Sequence, residues 1–452
     1  MTGAARVDAV VVGAGIAGLA AALELQSAGN EVTVIDPSDR PGGVMRTDHV
    51  HGFVVERGPN TTLVKAPMRA FLEQRRLDEH LVRAEPASRL RFVLRQGELV
   101  PVPMSPLALA TTSLLSLGGK LRTLGEPFIR RNRGDEESVA EFLGRRLGRE
   151  VVTGMVGPFL TGVYAGDETQ LGARAVFPGL VEAEDRFGSL LLGGVGSLFA
   201  RREKGLRGSF SATAGFGPFA RTLADQLAEP PALGSRVVGL ARADGRYRVD
   251  VTSASGDVAL DAARVVVATP APEAAQLLRG VDADVGVALE QLRYAPIATV
   301  PLGVARQDLR EPVRGFGFLV PQQEERALLG CLFMSQLFPG RAPEGFELLH
   351  CMLGGVRWPD ALGVGDEGLV ERALSDVDAV LGLKGQAQSL GVGRWERAIP
   401  QPGREHPARM RWVEQRLAEQ APGLALAGAY VAGVSVADSL ASGLAAAERL
   451  AS

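Results

Sequence analysis

Residues 7–18 read VDAVVVGAGIAG, an apolar run that passes directly into three spaced glycines, Gly13, Gly15 and Gly18. The run VDAVVV predicts a buried parallel strand, because helices cover both faces of a parallel sheet. The Ala/Leu-rich residues 16–28 predict a helix, and residues 31–36, EVTVID, predict the next strand. The order strand, helix, strand over about thirty residues predicts a βαβ unit.

The turn before the helix has the glycine spacing that a dinucleotide requires. Gly13 permits the tight turn, Gly15 lets the backbone approach a pyrophosphate at the positive helix N-terminus, and Gly18 allows close packing of helix on strand. Asp36 ends the second strand, where a carboxylate accepts hydrogen bonds from an adenosine ribose. We therefore predict a dinucleotide site. The residues expected to form it here are Gly13, Ala14, Gly15, Ile16, Ala17, Gly18 and Asp36.

Strands of the same buried type recur far downstream. Residues 264–270, RVVVATP, predict a strand that is followed by a helix. Residues 424–436 predict a last strand and a glycine turn, and residues 437–451 predict the final helix. Strands that belong to one sheet thus lie at the start, middle and end of the chain.

The simplest architecture is an α/β fold with a discontinuous Rossmann-like domain that binds the dinucleotide. We assign residues 1–85, 206–290 and 390–452 to this domain. Residues 86–205 are expected to form a mostly helical domain. The strand-rich residues 291–389 are expected to form an inserted mixed-sheet domain that binds substrate.

Composition excludes several classes of protein. With 49 basic and 52 acidic residues the net charge is −3, whereas a nucleic-acid binder carries a basic excess. Two cysteines are too few for a disulfide framework. The N-terminus lacks the pattern of a signal peptide, and no apolar stretch is long enough to span a membrane. We expect a cytoplasmic protein without a metal site.

Four further blocks of the sequence resemble those of a known family. The segment RPGGVMRT at residues 40–47 brings a second glycine pair, and ERGPN follows at residues 56–60. This order resembles the FAD-containing amine-oxidase and protoporphyrinogen-oxidase group. The block GVYAGD at residues 162–167 and ESVAEF at residues 137–142 look like those of protoporphyrinogen oxidases. The resemblance covers nearly the whole chain in order.

The resemblance implies an FAD enzyme that oxidises a porphyrinogen in heme synthesis. Such enzymes remove six electrons in three flavin cycles, and O₂ is the acceptor that yields H₂O₂. The flavin carries the redox chemistry, while the protein positions the macrocycle and shapes an apolar cavity. No acid–base triad is needed, and the sequence offers none: the histidines fall in no motif, and we expect no catalytic side chain.

The resemblance also implies which residues touch the ligands. Arg91 matches an arginine that pairs with a substrate propionate, while Leu319, Leu332 and Met352 match apolar positions around the ring. Met352 stands where several relatives carry an aromatic residue. Val237 matches a strand whose backbone meets the adenine, and Trp395 a residue beside the flavin. The other expected cofactor contacts are Gly42, Gly43, Arg46, Gly58, Pro59, Asn60, Thr61, Gly428, Val434, Ser435 and Val436.

Several alternatives stay open from sequence. The same chemistry could act on coproporphyrinogen III, which carries four propionates instead of two, so a pocket with extra cations would favour it. Another flavin amine-oxidase activity, on amines or carotenoids, is a second alternative. Ala214, Pro402 and Ala429 depart from the family's pattern, which leaves open a non-catalytic FAD-binding protein.

A leucine-rich stretch suggests contact with a membrane. Residues 103–131 contain seven leucines, and Arg130, Arg131 and Arg133 lie at or just beyond their end. An apolar face with a basic flank suits a helix that lies on an anionic membrane, and it matches the family's membrane-docking domain. We expect a peripheral protein on the inner face of a bacterial cell membrane, and a possible homodimer. An ordinary helix that faces the core is the alternative.

Overall fold

The computed structural model describes residues 4–132, 136–193 and 205–451. Most of its strands belong to two large mixed sheets. The strands are β1 (Ala5–Val12), β2 (Val32–Asp36), β3 (Thr47–Val50), β4 (Phe53–Glu56), β5 (Thr62–Leu63), β6 (Leu81–Arg83), β7 (Phe92–Arg95), β8 (Glu98–Pro101), β9 (Ser209–Ala212), β10 (Ala232–Leu233), β11 (Ser235–Ala243), β12 (Arg246–Ser253), β13 (Gly256–Val267), β14 (Tyr294–Ala305), β15 (Gly317–Leu319), β16 (Leu328–Phe333), β17 (Phe346–Gly354), β18 (Ala387–Ser389), β19 (Gly393–Pro400) and β20 (Leu424–Leu426).

Helices cover both sheets and form a separate layer in the middle of the chain. They are α1 (Ile16–Ser27), α2 (Ala66–Gln74), α3 (Pro106–Thr111), α4 (Leu117–Leu124), α5 (Val139–Leu147), α6 (Arg149–Val151), α7 (Gly157–Tyr164), α8 (Ala173–Val176), α9 (Pro178–Phe187), α10 (Phe216–Ala224), α11 (Ala271–Leu278), α12 (Ala283–Glu290), α13 (Met334–Leu337), α14 (Asp366–Leu381), α15 (His406–Gln420), α16 (Ala429–Ala432) and α17 (Val436–Ala451).

The first sheet has the predicted parallel centre. Its order is β10-β2-β1-β13-β12-β11, with β20 also paired to β13, and the contacts among β10, β2, β1, β13 and β20 are parallel. Side chains of β1 alternate between two cores: Val11 packs on the side of α1, while Val10 and Val12 pack on the other side. Strands from the start, middle and end of the chain therefore meet in one sheet, as expected.

The second sheet is mixed and has the order β18-β14-β17-β16-β15-β7-β8, with β19 also paired to β14. Most of it comes from the predicted strand-rich segment, residues 291–389. However, β7 and β8 lie inside the segment that was predicted to be mostly helical, and β19 lies inside the last segment assigned to the first domain. The pairing of β7 with β15 is parallel and joins residues more than 220 positions apart, such as Phe92 and Phe318.

The helical layer differs from the prediction in its details. The leucine-rich stretch was expected to be one amphipathic helix, but it forms two short ones, α3 and α4, each capped by a serine, Ser105 and Ser116. A π-helical segment, Val152–Val156, directly precedes α7. Helix α5 begins with a capping box between Ser138 and Glu141. Among the described residues, none of the helices has the length and apolar character that crossing a membrane requires.

Candidate active site

The glycine turn has the geometry that its spacing predicts. Gly13 has a φ of +109°, and a Cβ there would lie 2.9 Å from the carbonyl oxygen of Ala268. A Cβ at Gly18 would overlap the carbonyl oxygen of Gly13, so close packing requires that glycine. By contrast, a Cβ at Gly15 would meet nothing within 4 Å. The space beside the Cα of Gly15, at the start of α1, is thus open, and a pyrophosphate would lie there.

Asp36 fixes the turn and retains capacity for a ligand. Its carboxylate accepts hydrogen bonds from the backbone N–H of Ala14 at 2.7 Å and of Ser38 at 2.8 Å. Each carboxylate oxygen has a second lone pair, which these bonds leave available for ribose hydroxyls. Ile16 is the first residue of α1 and is buried together with Ala17.

The second glycine pair lies against the first, as expected. The N–H of Gly42 donates to the carbonyl of Ala14 at 2.8 Å, and a Cβ at Gly43 would lie 3.4 Å from the Cα of Gly15. Arg40, which we did not single out from sequence, holds this loop by donating to the carbonyls of Gly43 and Met45.

Arg46 and the segment after β4 line the approach to the turn. Arg46 is half-exposed and forms a salt bridge with Asp48 at 3.2 Å, so its predicted contact with phosphate or flavin stays a prediction. A Cβ at Gly58 would overlap the carbonyl oxygen of Val44, which places residues 58–61 against the second glycine loop. Pro59, Asn60 and Thr61 are all half-buried there.

Buried polar atoms without protein partners mark the same region. Asn60 donates through Nδ2 to the carbonyl of Gly58 at 3.3 Å, but its Oδ1 has no hydrogen-bond partner among the described residues. The same is true of Oγ1 of Thr269, whose backbone lies beside Gly13. Buried polar groups normally have partners, so these two atoms fit a polar ligand that occupies the cleft.

The C-terminal segment lies beside the start of α1, because a Cβ at Gly443 would overlap the carbonyl oxygen of Ala17. The N–H of Gly428 donates to Oγ of Ser442 at 2.8 Å, and the backbone there has a φ of +130°. Ser435 precedes α17, and its Oγ accepts the N–H of Asp438 at 3.1 Å, so it caps the helix that starts at Val436. Val434 packs against the helical layer.

The remaining predicted cofactor residues lie on two different sheets. Val237 is buried in β11 next to a register shift. Trp395 lies in β19, and its Nε1 donates to the carbonyl of Arg57 at 2.6 Å, next to the segment that carries Asn60. This hydrogen bond from the indole thus connects the second sheet to the segment that lines the cleft.

The four predicted substrate residues lie on one face of the second sheet. Leu319 pairs with Gly330, and Gly330 pairs with Met352, so the three residues share a face. Leu332 lies two residues from Gly330 on the same strand and therefore on the same face. In the parallel pairing of β15 with β7, Leu319 pairs with Val93. Arg91 lies two residues before Val93 and therefore on the same face. We call it the substrate face.

Arg91 is a cation without an anion. Its guanidinium lies over the ring of Phe316 at 4.3 Å, and no carboxylate pairs with it among the residues that the structure describes. Burial lowers the pKa of Arg91, although an arginine stays charged at neutral pH. A partly desolvated guanidinium of this kind favours a ligand carboxylate, which it can bind through two parallel hydrogen bonds.

Helix α7, which ends in the GVYAGD block, covers the substrate face. A Cβ at Gly162 would overlap the side chain of Leu319, so the glycine lets the helix approach the sheet. Ala165 ends the helix in the left-handed region, with a φ of +47°. Gln401 donates to the carbonyl of Tyr164 at 2.7 Å and fixes this end. Leu319, Leu332 and Met352 stay half-buried beneath the helix, and we call this partly open apolar surface beside Arg91 the slot.

Three buried polar residues near the slot were not predicted as site residues. Nη1 of Arg57, Oγ1 of Thr299 and both ring nitrogens of His350 lack a partner among the described residues. Thr299 pairs with Met352 and therefore belongs to the substrate face. Burial, with a smaller effect of Arg57, lowers the pKa of His350 to about 4. A lone histidine in an apolar strand gave no signal that could have identified it.

The cleft suits FAD and the slot suits a flat apolar substrate. The open side of Gly15, the spare lone pairs of Asp36 and the partnerless oxygens of Asn60 and Thr269 would hold the dinucleotide. A turn of this kind joined to an apolar sheet face defines a flavin-dependent oxidoreductase, in which the cofactor supplies the hydride acceptor.

The chain belongs to the family of flavin containing amine oxidoreductases, which it matches over residues 16–451. It is 30% identical to protoporphyrinogen oxidase 2, chloroplastic/mitochondrial, from Arabidopsis thaliana, with 97% of this chain and 92% of the relative covered. It is 28% identical to coproporphyrinogen III oxidase from Bacillus subtilis (strain 168), with 97% and 96% covered.

Solved structures agree with this family. A crystal structure from Exiguobacterium sp. 255-15, described as a candidate protoporphyrinogen oxidase, has a TM-score of 0.82 and 26% identity, with 100% of this chain and 99% of that chain covered. Reduced UDP-galactopyranose mutase shares the fold with a TM-score of 0.72 at 15% identity, with 98% and 95% covered. The predictions of the family and of an FAD cofactor are confirmed.

Proposed function

We propose that this protein oxidises a porphyrinogen to a porphyrin with O₂ as the electron acceptor. The observation that carries the proposal is the substrate face, where three apolar side chains and the unpaired Arg91 form one slot. Relatives named protoporphyrinogen oxidase and coproporphyrinogen III oxidase support the same substrate class. The overall balance is one porphyrinogen and three O₂ giving one porphyrin and three H₂O₂.

The chain's own residues position the substrate rather than transfer its protons. Arg91 would bind a propionate and thereby fix the register of the macrocycle in the slot. Leu319, Leu332 and Met352 would hold the ring system and exclude water from it. Bound FAD supplies hydride acceptance. Specificity for an acidic apolar ring thus follows from one cation set among apolar side chains.

Fluorimetric turnover tests this function. Purified protein with bound FAD is mixed in air with protoporphyrinogen IX or coproporphyrinogen III, and fluorescent porphyrin and H₂O₂ are measured together. We expect porphyrin and peroxide in a ratio of one to three. Absence of porphyrin from both substrates in a protein that holds FAD would leave the amine-oxidase or the non-catalytic alternative. Amines assayed by the same peroxide readout would separate those two.

We also propose that the protein docks on the inner face of the cell membrane. Side chains of α3, α4 and the turn after them are apolar and exposed: Phe128 is 92% exposed, Leu107 77% and Leu117 74%. Exposed Arg130 lies beside them and would attract anionic headgroups. Arg133, the last residue of the predicted basic flank, lies outside the described residues.

A homodimer is proposed as well, and light scattering would test it.

A further inference from the structure

Three buried polar side chains, Arg57, Thr299 and His350, lie where the cleft joins the substrate face. Nη1 of Arg57, Oγ1 of Thr299 and both ring nitrogens of His350 have no hydrogen-bond partner within the part of the chain that the structure describes. We call these three side chains the polar cluster. Buried polar groups normally have partners, so the polar cluster fits a small polar species that binds among them.

Two glycines, one in β19 and one just before it, bring Arg57 and Thr299 together. A Cβ at Gly393, which pairs with Thr299, would lie 2.5 Å from Oγ1 of Thr299. The same Cβ would lie 3.7 Å from Cδ of Arg57. A Cβ at Gly391 would lie 3.5 Å from Nη1 of Arg57. The side chain of Arg57 and the hydroxyl of Thr299 therefore flank the same short stretch of backbone.

Register places His350 next to this stretch. The carbonyl of Leu390 accepts Nη2 of Arg57 at 2.7 Å, and the N–H of Leu390 donates to the carbonyl of Pro301 at 3.0 Å. Pro301 pairs with His350, which lies two residues before Met352 and therefore on the substrate face. Burial and, to a smaller extent, the charge of Arg57 lower the pKa of His350 to about 4. The imidazole is thus neutral at pH 7.

The polar cluster borders both the slot and the cleft. Thr299 pairs with Met352, whose side chain belongs to the slot. Arg57 directly precedes residues 58–61, which lie against the second glycine loop. A substrate in the slot must meet the flavin of a dinucleotide in the cleft at this boundary. The polar cluster therefore lies close to the place where the reduced cofactor is formed.

The polar cluster combines positive charge with hydrogen-bond donors. Arg57 and Arg46 share the single carboxylate of Asp48, at 2.8 Å and 3.2 Å, so the two guanidiniums exceed this carboxylate by one charge. The hydroxyl of Thr299 and one ring nitrogen of neutral His350 are further donors. Fixed donors beside a positive charge stabilise an anion strongly where water is excluded.

The neighbouring carboxylate of Glu56 does not cancel this charge. It accepts the N–H of Phe216 at 3.0 Å and the hydroxyl of Thr47 at 2.7 Å, and it pairs with buried Arg341 at 3.3 Å. Glu56 is therefore balanced by a different arginine, and Arg57 keeps its own partner, Asp48.

We propose that the polar cluster is the site at which O₂ is reduced. The inference rests on the proposed porphyrinogen oxidation and names the residues that serve its second half. In each cycle the porphyrinogen gives up a hydride and a proton, and these two electrons and two protons convert O₂ to H₂O₂. The first electron makes superoxide, an anion, which Nη1 of Arg57 and Oγ1 of Thr299 stabilise by hydrogen bonds. His350 completes the site as a neutral donor.

Reoxidation of the reduced holoprotein tests this site without a porphyrinogen. The flavin is reduced photochemically in the absence of air and is then mixed with O₂ in a stopped-flow instrument. We expect the second-order rate constant to fall about 100-fold in Arg57→Gln and about tenfold in Thr299→Val. Arg57→Lys should recover part of the loss. Arg75→Gln is the matched control, because the side chains of both arginines are 10% exposed.

A second electron acceptor separates catalysis from a structural role. Ferricenium takes one electron without becoming an anion, so its rate with the same reduced proteins should fall by less than about twofold. Equal slowing with both acceptors, or no slowing with O₂ in variants that hold a full complement of flavin, would overturn the site. Thr299→Val keeps the shape of its side chain and stays decisive if Arg57→Gln loses its flavin.

Binding of azide, a small anion, gives a readout that requires no turnover. Azide should change the absorbance spectrum of the oxidised flavin in the unaltered protein and should bind at least about tenfold more weakly to Arg57→Gln. Equal binding to the two proteins would contradict the site. Failure of the proposed function is distinct, because the unaltered protein would then form no porphyrin from either porphyrinogen, whereas photochemical reduction and reoxidation can still be measured.

Discussion

Helices α1 and α4 are both rich in apolar residues, yet their surroundings are opposite. Nine of the 12 residues of α1 are buried, between the parallel sheet and α17. In α4, Leu117, Leu121 and Leu124 are 74%, 61% and 66% exposed. The contrast shows that the first helix finds its partners within the chain, while the apolar face of α4 finds none among the described residues.

The exposed surface around α4 is nevertheless held firmly. Arg146 and Glu126 form a salt bridge with both side chains fully buried, and Arg146 also donates to the carbonyls of Ile129 and Gly188. Removing one partner of such a pair would leave a buried charge. The apolar surface thus rests on a buried ion pair whose arginine is also held by two backbone carbonyls.

The largest effect is expected where α1 begins. Gly15→Val should abolish flavin binding, by at least about 100-fold in affinity, because its side chain would enter the space for the pyrophosphate, where a Cβ meets no protein atom within 4 Å. Flavin absorbance and circular dichroism measure binding and folding. Gly179→Val is the control, since a Cβ there also meets nothing within 4 Å. A variant that keeps its flavin would contradict this assignment of the cleft.

The substitution Arg91→Ala should have the next largest effect. We expect KM for the porphyrinogen to rise about 10- to 100-fold and kcat to change little, because the propionate contact is much the same in the ground and transition states. Steady-state kinetics measure both constants. Arg89→Ala, an exposed neighbour, should leave both unchanged. Unaltered kinetics in Arg91→Ala would remove the arginine from the substrate site.

The proposed membrane surface on α4 provides the second half of the comparison. Phe128→Ser and Leu121→Ser should each lower partitioning onto anionic lipid vesicles about tenfold, because each removes exposed apolar area that lipid would bury. Vesicle sedimentation measures the partitioning. Val258→Ser, at an exposed apolar position of β13, serves as the control. Equal losses in the control would show that the binding is unspecific.

The smallest effect concerns pH, within the well-packed part of the molecule. Burial lowers the pKa of both His350 and His406 to about 4, below that of the unfolded chain. Their stabilising contribution is present above pH 6.5 and is lost as the pH falls toward 4. As the pH falls from 6.5 to 5.5, each histidine should lower the free energy of unfolding by about 1 kcal/mol, because the unfolded chain binds the proton more readily than the folded chain. Denaturant titrations should show a shallower pH slope in His350→Gln than in the unaltered protein, and an equal slope in the two proteins would contradict this prediction.

The sequence predicted the dinucleotide turn well because local rules determine it. Gly18 packs on Gly13, and Asp36 accepts a hydrogen bond from Ala14, so both roles are set within one βαβ unit and the structure shows each of them. The turn between β11 and β12 obeys a local rule of the same kind, because Asp244 and Gly245 both have the positive φ that an Asp-Gly hairpin turn requires.

Long-range pairing was harder to predict. The addition of β7 and β8 to the second sheet depends on the distant strand β15, and periodicity carries no information about which strands pair. Whether the leucines of α4 face a core or solvent could not be read from their spacing either. The place of the partnerless His350 opposite Leu332 depends on register, which only the folded chain defines.

The most direct test follows the absorbance of the bound flavin when a porphyrinogen is added without air. We expect one FAD per chain that is bleached by the porphyrinogen and regains its colour when O₂ is admitted, with release of H₂O₂. A colourless protein that takes up no added FAD, or a bound flavin that neither porphyrinogen can reduce, would contradict the account.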